Sequence, residues 1–232
     1  MARKGYGWRS GHGRFVEFRE MSLHVAPGVF DPQGVSAEMV DLARELLPDP
    51  ERPVVVEIGT GCGAVSILAS RSWPGTTIYA TDVSARALGC ARQNAKRLGV
   101  RSIRFAQGNM LQPLPRALFG GVDLLFCNVP YVSPIGGKDL KDWSVPEETV
   151  YGPDPDGLGL MRMLANASTS LLREGGFWVF QLGESQWDNF ADHLQQLGFE
   201  VIEPRMRRVG HAVIGAARVT EKVEKRHEVQ RS

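Results

Sequence analysis

Short, continuous apolar runs recur along this chain, each followed by a stretch with helical spacing, and no other feature constrains the fold as much. Residues 53–58 (PVVVEI), 77–81 (TIYAT), 103–106 (IRFA), 122–127 (VDLLFC) and 177–180 (FWVF) read as five strands. Helices are expected over 64–70, from a Ser84 cap to Gly99, over 158–172 and near 186–197. An earlier helix carries Met39, Val40, Ala43 and Leu46, with Ser36 as its cap and Pro48 as its stop. Strands that are apolar throughout and separated by helices must be covered on both faces, which means a parallel sheet. Gly175-Gly176 is expected to turn the 158–172 helix into the strand at 177–180. Two final strands, 199–202 and 211–217, are joined by residues 204–210 alone. That is too short for a crossover helix and predicts an antiparallel pair at one edge. The fold class expected is therefore α/β: a doubly wound, mostly parallel seven-stranded sheet with an antiparallel edge strand.

At 232 residues and 43% hydrophobic, the chain can bury a full core, and its net charge of +1 singles out no acidic partner. The boundaries drawn are a mobile basic tail at 1–20, one domain at 21–219 and a charged tail at 220–232. No apolar stretch approaches the roughly 18–20 residues of a membrane span, and the start lacks the apolar core of a secretory leader. Cys62, Cys90 and Cys127 lie among apolar residues and read as buried free thiols, so a cytoplasmic setting without membrane contact is expected. They form no Cys/His cluster of metal-binding spacing, and no metal site is predicted.

The first strand runs into Glu57-Ile58-Gly59-Thr60-Gly61-Cys62-Gly63-Ala64, glycines that let a backbone pass close to a ligand at a helix start. With Asp82 placed to hold a ribose, this fits a dinucleotide fingerprint. Two features favour S-adenosylmethionine over a nicotinamide dinucleotide. Glu57 places a carboxylate at the strand end, which suits an ammonium group better than a pyrophosphate. After the third strand, Asn109 and Met110 offer an amide for an adenine edge and an apolar side chain for its ring.

With these residues the chain resembles the class I S-adenosylmethionine-dependent methyltransferases, Rossmann-like in fold, over roughly residues 24–218. Within them it resembles the HemK-type family, which methylates glutamine side-chain amides. The resemblance rests on "VVEIGTGCGAVSILA", "ATDVSARALGCARQNAKRLG", "GNM", "NVPYV" and the loop, helix and strand of "VYGPDPDGLGLMRMLANASTSLLREGGFWVFQLGESQ". Upstream, "GVFDPQGVSAEMVDLA" is similar to the family's entry segment and brings Phe30 and Ser36 to the cofactor. The cofactor set implied is Glu57, Gly59, Thr60, Gly61, Gly63, Asp82, Val83, Asn109, Met110 and Asn128, with those two.

The resemblance also sets Asn128-Val129-Pro130-Tyr131 at the end of the fourth strand, beside the reacting methyl. An amide nitrogen is a poor nucleophile because its lone pair is delocalised. The Asn128 side-chain oxygen and the carbonyl of residue 129 can each accept one N–H and hold that nitrogen in line. Pro130 stiffens the turn and Tyr131 packs on a planar group. The chain departs from the family at Val129 (proline), Asn109 (aspartate) and Gln181 (often glutamate). It also lacks the helical substrate-recognition domain of the longer branch, which predicts a smaller acceptor or an activating partner subunit. The function expected is N-methyl transfer to an amide or amine, on a protein glutamine or a small molecule. The alternatives are transfer to a nucleic-acid adenine and a non-catalytic cofactor-binding module. A nucleic-acid acceptor is disfavoured, because Arg205, Arg207 and Arg208 make only a small basic cluster.

Overall fold

A hairpin opens the described chain: β1 (Arg14–Phe18) pairs antiparallel with β2 (Met21–Val25). The computed structural model describes residues 13–32, 34–48, 51–135, 149–202, 207–209 and 212–220, without the side chains of 207–209. Among the described residues, β1 lies inside the stretch 1–20 assigned to the tail. Residues 1–12 and 221–232, and the side chains of the 205–208 cluster, lie outside the described residues.

After α1 (Gly34–Leu46), strands and helices alternate as β3 (Val55–Ile58), α2 (Ala64–Ser72), β4 (Ile78–Asp82), α3 (Ala85–Arg97), β5 (Ile103–Gln107) and β6 (Val122–Cys127). The second half holds α4 (Gly159–Leu171), β7 (Leu172–Gly183), α5 (Trp187–Gln196), β8 (Phe199–Val201), β9 (Arg207–Val209) and β10 (Ala212–Val219). The main sheet runs β5-β4-β3-β6-β7-β10-β8, with β9 added beside β10. Strands β3 to β7 pair in parallel, whereas β10 pairs antiparallel with both β7 and β8, which is the antiparallel pair expected at one edge.

Period-two alternation explains the two covered faces. Val55, Leu124, Phe126 and Val179 point to α1 and α2, while Val56, Leu125, Cys127, Trp178 and Phe180 point to α4 and α5. Ser84 caps α3 as predicted, its hydroxyl accepting from the Ala87 N–H at 3.2 Å. Ser36 does not cap α1. The helix already runs from Gly34, which leaves Ser36 buried inside its first turn. Gly175-Gly176 does not end a helix either. It lies within β7, where the pairing with β6 shifts register between Val122 and Leu124.

Candidate functional site

Strand order supplies the site. From β3 the chain builds outward through β4 to β5, then returns to the other side of β3 as β6. Where the order reverses, the connections on either side leave in opposite directions and open a crevice at the carboxyl ends of β3 and β6. A cleft of about 1850 Å³ lies there, lined by the glycine turn, the ends of β4, β5 and β6, and the segment after the hairpin.

The glycine turn is shaped from within. Gly59 and Gly61 have φ of +76° and +58°, the left-handed region that side chains resist. A Cβ on Gly59 would meet Val129 Cγ1 at 3.2 Å, so the turn passes directly beneath the Asn128–Tyr131 corner. One oxygen of Glu57 gathers the turn. Oε2 accepts from Thr60 Oγ1 at 2.7 Å, from the Ser66 N–H at 3.1 Å and from Ser66 Oγ. Burial nevertheless outweighs these donors and raises the Glu57 carboxyl to about 7. Asp82 accepts from Gly61 N and Ser84 N, both at 2.9 Å, and so joins the glycine turn to the start of α3.

Most residues singled out by sequence meet in this cleft. Glu57, Thr60 and Asp82 stand beside Gly59 and Gly61, and Asn109 and Met110 beside Val83, which is 72% exposed. Phe30 and Ser36 approach from the entry segment, and Asn128, Val129, Pro130 and Tyr131 form the opposite lip. Gly63 is not among the lining residues. A Cβ there would meet Ala91 Cβ at 3.0 Å, so Gly63 serves the packing of α2 on α3.

The corner after β6 is braced on every side but one. Gln181 Nε2 donates to the Tyr131 hydroxyl at 2.7 Å. Gln186 Nε2 donates to the carbonyls of Tyr131 and Asp156, both at 2.6 Å. Val132 exchanges backbone hydrogen bonds with Val150 and Gly152 at 3.0 Å. Burial raises the Tyr131 phenol above its ordinary range, keeping it protonated. Among the described residues, the Asn128 side chain has no hydrogen-bond partner. Its amide is the free polar group of a fastened corner.

Sequence reasoning missed Gln186 and Asn94. Asn94 is fully buried, donates to the carbonyls of His24 at 2.7 Å and Cys62 at 2.9 Å, and accepts from the His24 N–H at 2.8 Å. It ties the hairpin to the glycine turn. An amide on the apolar face of α3 was the available signal. Cys127 is also buried, and its thiol is pushed up to about 12, so it is no nucleophile.

Residues 20–140 match the family model described as "Methyltransferase small domain". The release factor glutamine methyltransferase of Moorella thermoacetica is 32% identical over 185 residues, covering 78% of this chain and 64% of that protein. Its namesake from Streptomyces coelicolor is 31% identical over 199 residues, covering 76% and 67%. The chain thus spans about two thirds of these relatives' length. A 16S rRNA N2 methyltransferase of T. thermophilus, solved with AdoMet and guanosine, shares the fold with a TM-score of 0.66. It is 15% identical, covering 89% of this chain and 50% of its own.

Proposed function

The chain belongs to the methyltransferase small domain family, and from that premise we propose that it moves a methyl group from S-adenosylmethionine to a planar amide nitrogen, with a glutamine side chain as the favoured acceptor. The observation that carries this reading is the Asn128 amide, which has no partner among the described residues and lines the cleft at the corner whose Val129 packs on Gly59 of the glycine turn.

The cleft fits the cofactor. A Cβ at Gly61 would meet nothing within 4 Å, which leaves open backbone at the turn. Carboxylates, Glu57 and Asp82, stand where a phosphate-bearing cofactor would need cations. Glu57 suits the ammonium group and Asp82 the ribose hydroxyls, which offer donors to its acceptors. Val83 and Met110 suit the faces of the adenine, Asn109 its edge, and Phe30 and Ser36 close the site from the entry segment. When bound, the cofactor supplies an electrophilic methyl on a positively charged sulfur.

The protein's part is orientation. The Asn128 Oδ1 and the Val129 carbonyl accept the two N–H groups of the acceptor, which holds the nitrogen lone pair toward the cleft and favours the positive charge it develops. Tyr131, fixed through Gln181 and Gln186, packs against the planar group. Val129 keeps the accepting carbonyl that a proline would also offer. Three buried, unpaired cysteines accord with work in a reducing compartment.

The test is transfer of radiolabelled methyl by the purified chain. Glutamine-containing peptides, small amides and an adenine-bearing oligonucleotide are offered in parallel, with Asn128→Ala as control. Labelled glutamine that disappears in the variant is the expected result. Cofactor binding without labelling of any nitrogen acceptor would overturn the proposal, and label in adenine alone would move it to the nucleic-acid reading.

A further inference from the structure

The forty residues from 83 to 122 contain six arginines, one lysine and no Asp or Glu, although an even spread of the chain's 26 acidic residues would place about four there. Near-neutral net charge hides this segregation. All seven cations are exposed, and among the described residues none pairs with a carboxylate. By contrast Arg19, Arg162, Arg173 and Arg218 each have an acidic partner.

The fold gathers five of them on one side of a margin. Arg86, Arg92, Lys96 and Arg97 lie on α3 and Arg101 just before β5, the last strand of the sheet on this side. Arg104, within β5, turns to the opposite face. Arg92, Lys96 and Arg101 surround one hollow of about 450 Å³ whose lining contains no acidic residue. Arg92 and Lys96 sit one helical turn apart, where like charges repel. The Arg92 guanidinium is held in place rather than free. It donates to the Phe105 carbonyl at 3.2 Å and lies 6.0 Å from that ring's centre. At the far end Arg86 lines the main cleft, so the strip runs from the hollow to the cleft's mouth over about 20 Å, the length of α3.

We propose that this α3–β5 margin binds the phosphate backbone of a single-stranded nucleic acid. Arginine's planar fork matches phosphate oxygens, and guanidiniums stacked on rings also accept bases. A folded acidic protein is the weaker candidate, because the lining of the hollow itself holds no exposed large apolar anchor of the kind protein interfaces use. The proposal goes beyond the methyl-transfer reading and does not depend on which nitrogen is methylated.

The test is fluorescence anisotropy of a labelled twelve-nucleotide single-stranded RNA against the full chain between about 25 and 300 mM salt. Contact with three or four phosphates predicts a log–log salt slope of about −2 to −3. Reversing Arg92, Lys96 and Arg101 together to Glu is expected to weaken binding at least about tenfold and flatten the slope, since each lost phosphate contact removes about 0.7 from it. The same net change made at Arg44, Arg52 and Arg218 is expected to alter neither. Thermal melts and calorimetry with S-adenosylmethionine establish that both triple variants remain folded with an intact cleft. RNA binding absent at low salt, lost equally in both triple variants, or matched by poly-glutamate of equal charge would overturn the proposal.

Discussion

Asn128 and Glu57 are both polar residues at strand ends, and their surroundings give them opposite characters. Asn128 has no partner among the described residues, so Asn128→Ala is expected to preserve the fold and most of the cofactor affinity while lowering turnover by about 10²–10³, the scale for losing one preorganised contact at a reacting centre. Steady-state methyl transfer beside calorimetric binding measures this, and unchanged turnover would show the corner to be merely structural. Glu57 is crowded with donors yet buried, and its carboxyl is raised from 4.5 to about 7. The folded chain therefore holds this proton more tightly than the unfolded chain. Its contribution to stability is complete below about pH 4.5 and is lost as pH rises through 7. The loss is about 1.4 kcal/mol per unit, or about 3 kcal/mol in all. Urea unfolding of the ligand-free protein at pH 5 and 8, with Glu57→Gln as control, reads it. A cationic ammonium reverses the preference. Cofactor affinity is expected to strengthen from pH 6 to 8 with proton release, seen by calorimetry in buffers of different ionisation enthalpy.

At the scale of elements, the hairpin of β1 and β2 depends on a residue outside it. Asn94 on α3 satisfies both backbone groups of His24 and the Cys62 carbonyl. Asn94→Ala removes this partner from the His24 N–H and the Cys62 carbonyl, while the His24 carbonyl keeps the Cys90 thiol, and is expected to cost about 2–3 kcal/mol. Hydrogen exchange distinguishes a local from a general effect: the amides of residues 14–25 should lose protection well before those of β3 and β6. The hairpin also marks where sequence reading fell short. The β3 to β7 strands were legible because burial on both faces makes each one apolar throughout. Residues 14–25 alternate, with burial on one side only, and adjoin a glycine-rich basic stretch, so their first half read as tail. Ser36 had the chemistry of a cap, but the helix started two residues earlier. The polar end of an apolar strand exposed Asn128 at once. Gln186 and Asn94 have partners 55 and 70 residues away, and no local pattern announces contacts of that range.

Across the whole molecule, one cleft draws on the entry segment, the carboxyl ends of five strands and the loop before α4. A ligand that fills it bridges these parts and stabilises them together. S-adenosylmethionine at a hundred times its dissociation constant is expected to add about 2.7 kcal/mol. For a domain of this size that raises Tm by about 5–10 °C, in a single transition. NAD at the same concentration should leave Tm unchanged, and a shift with NAD alone would contradict the cofactor assignment. The place of β10 between β7 and β8 has a further consequence, for the chain as it is being made. β7 is complete at Gly183, yet its neighbour begins only at Ala212, after 28 intervening residues (184–211). At ribosomal rates of about 5–20 residues per second, that gap lasts about 1.5–6 s. For those seconds Trp178 and Phe180 lie on a strand with an unpaired edge, the form of nascent chain that chaperones hold and that aggregates when they do not. Substitutions that delay β10 in closing over this edge would thus lower the yield of protein from the cell while leaving the melting temperature of the molecules that escape unchanged.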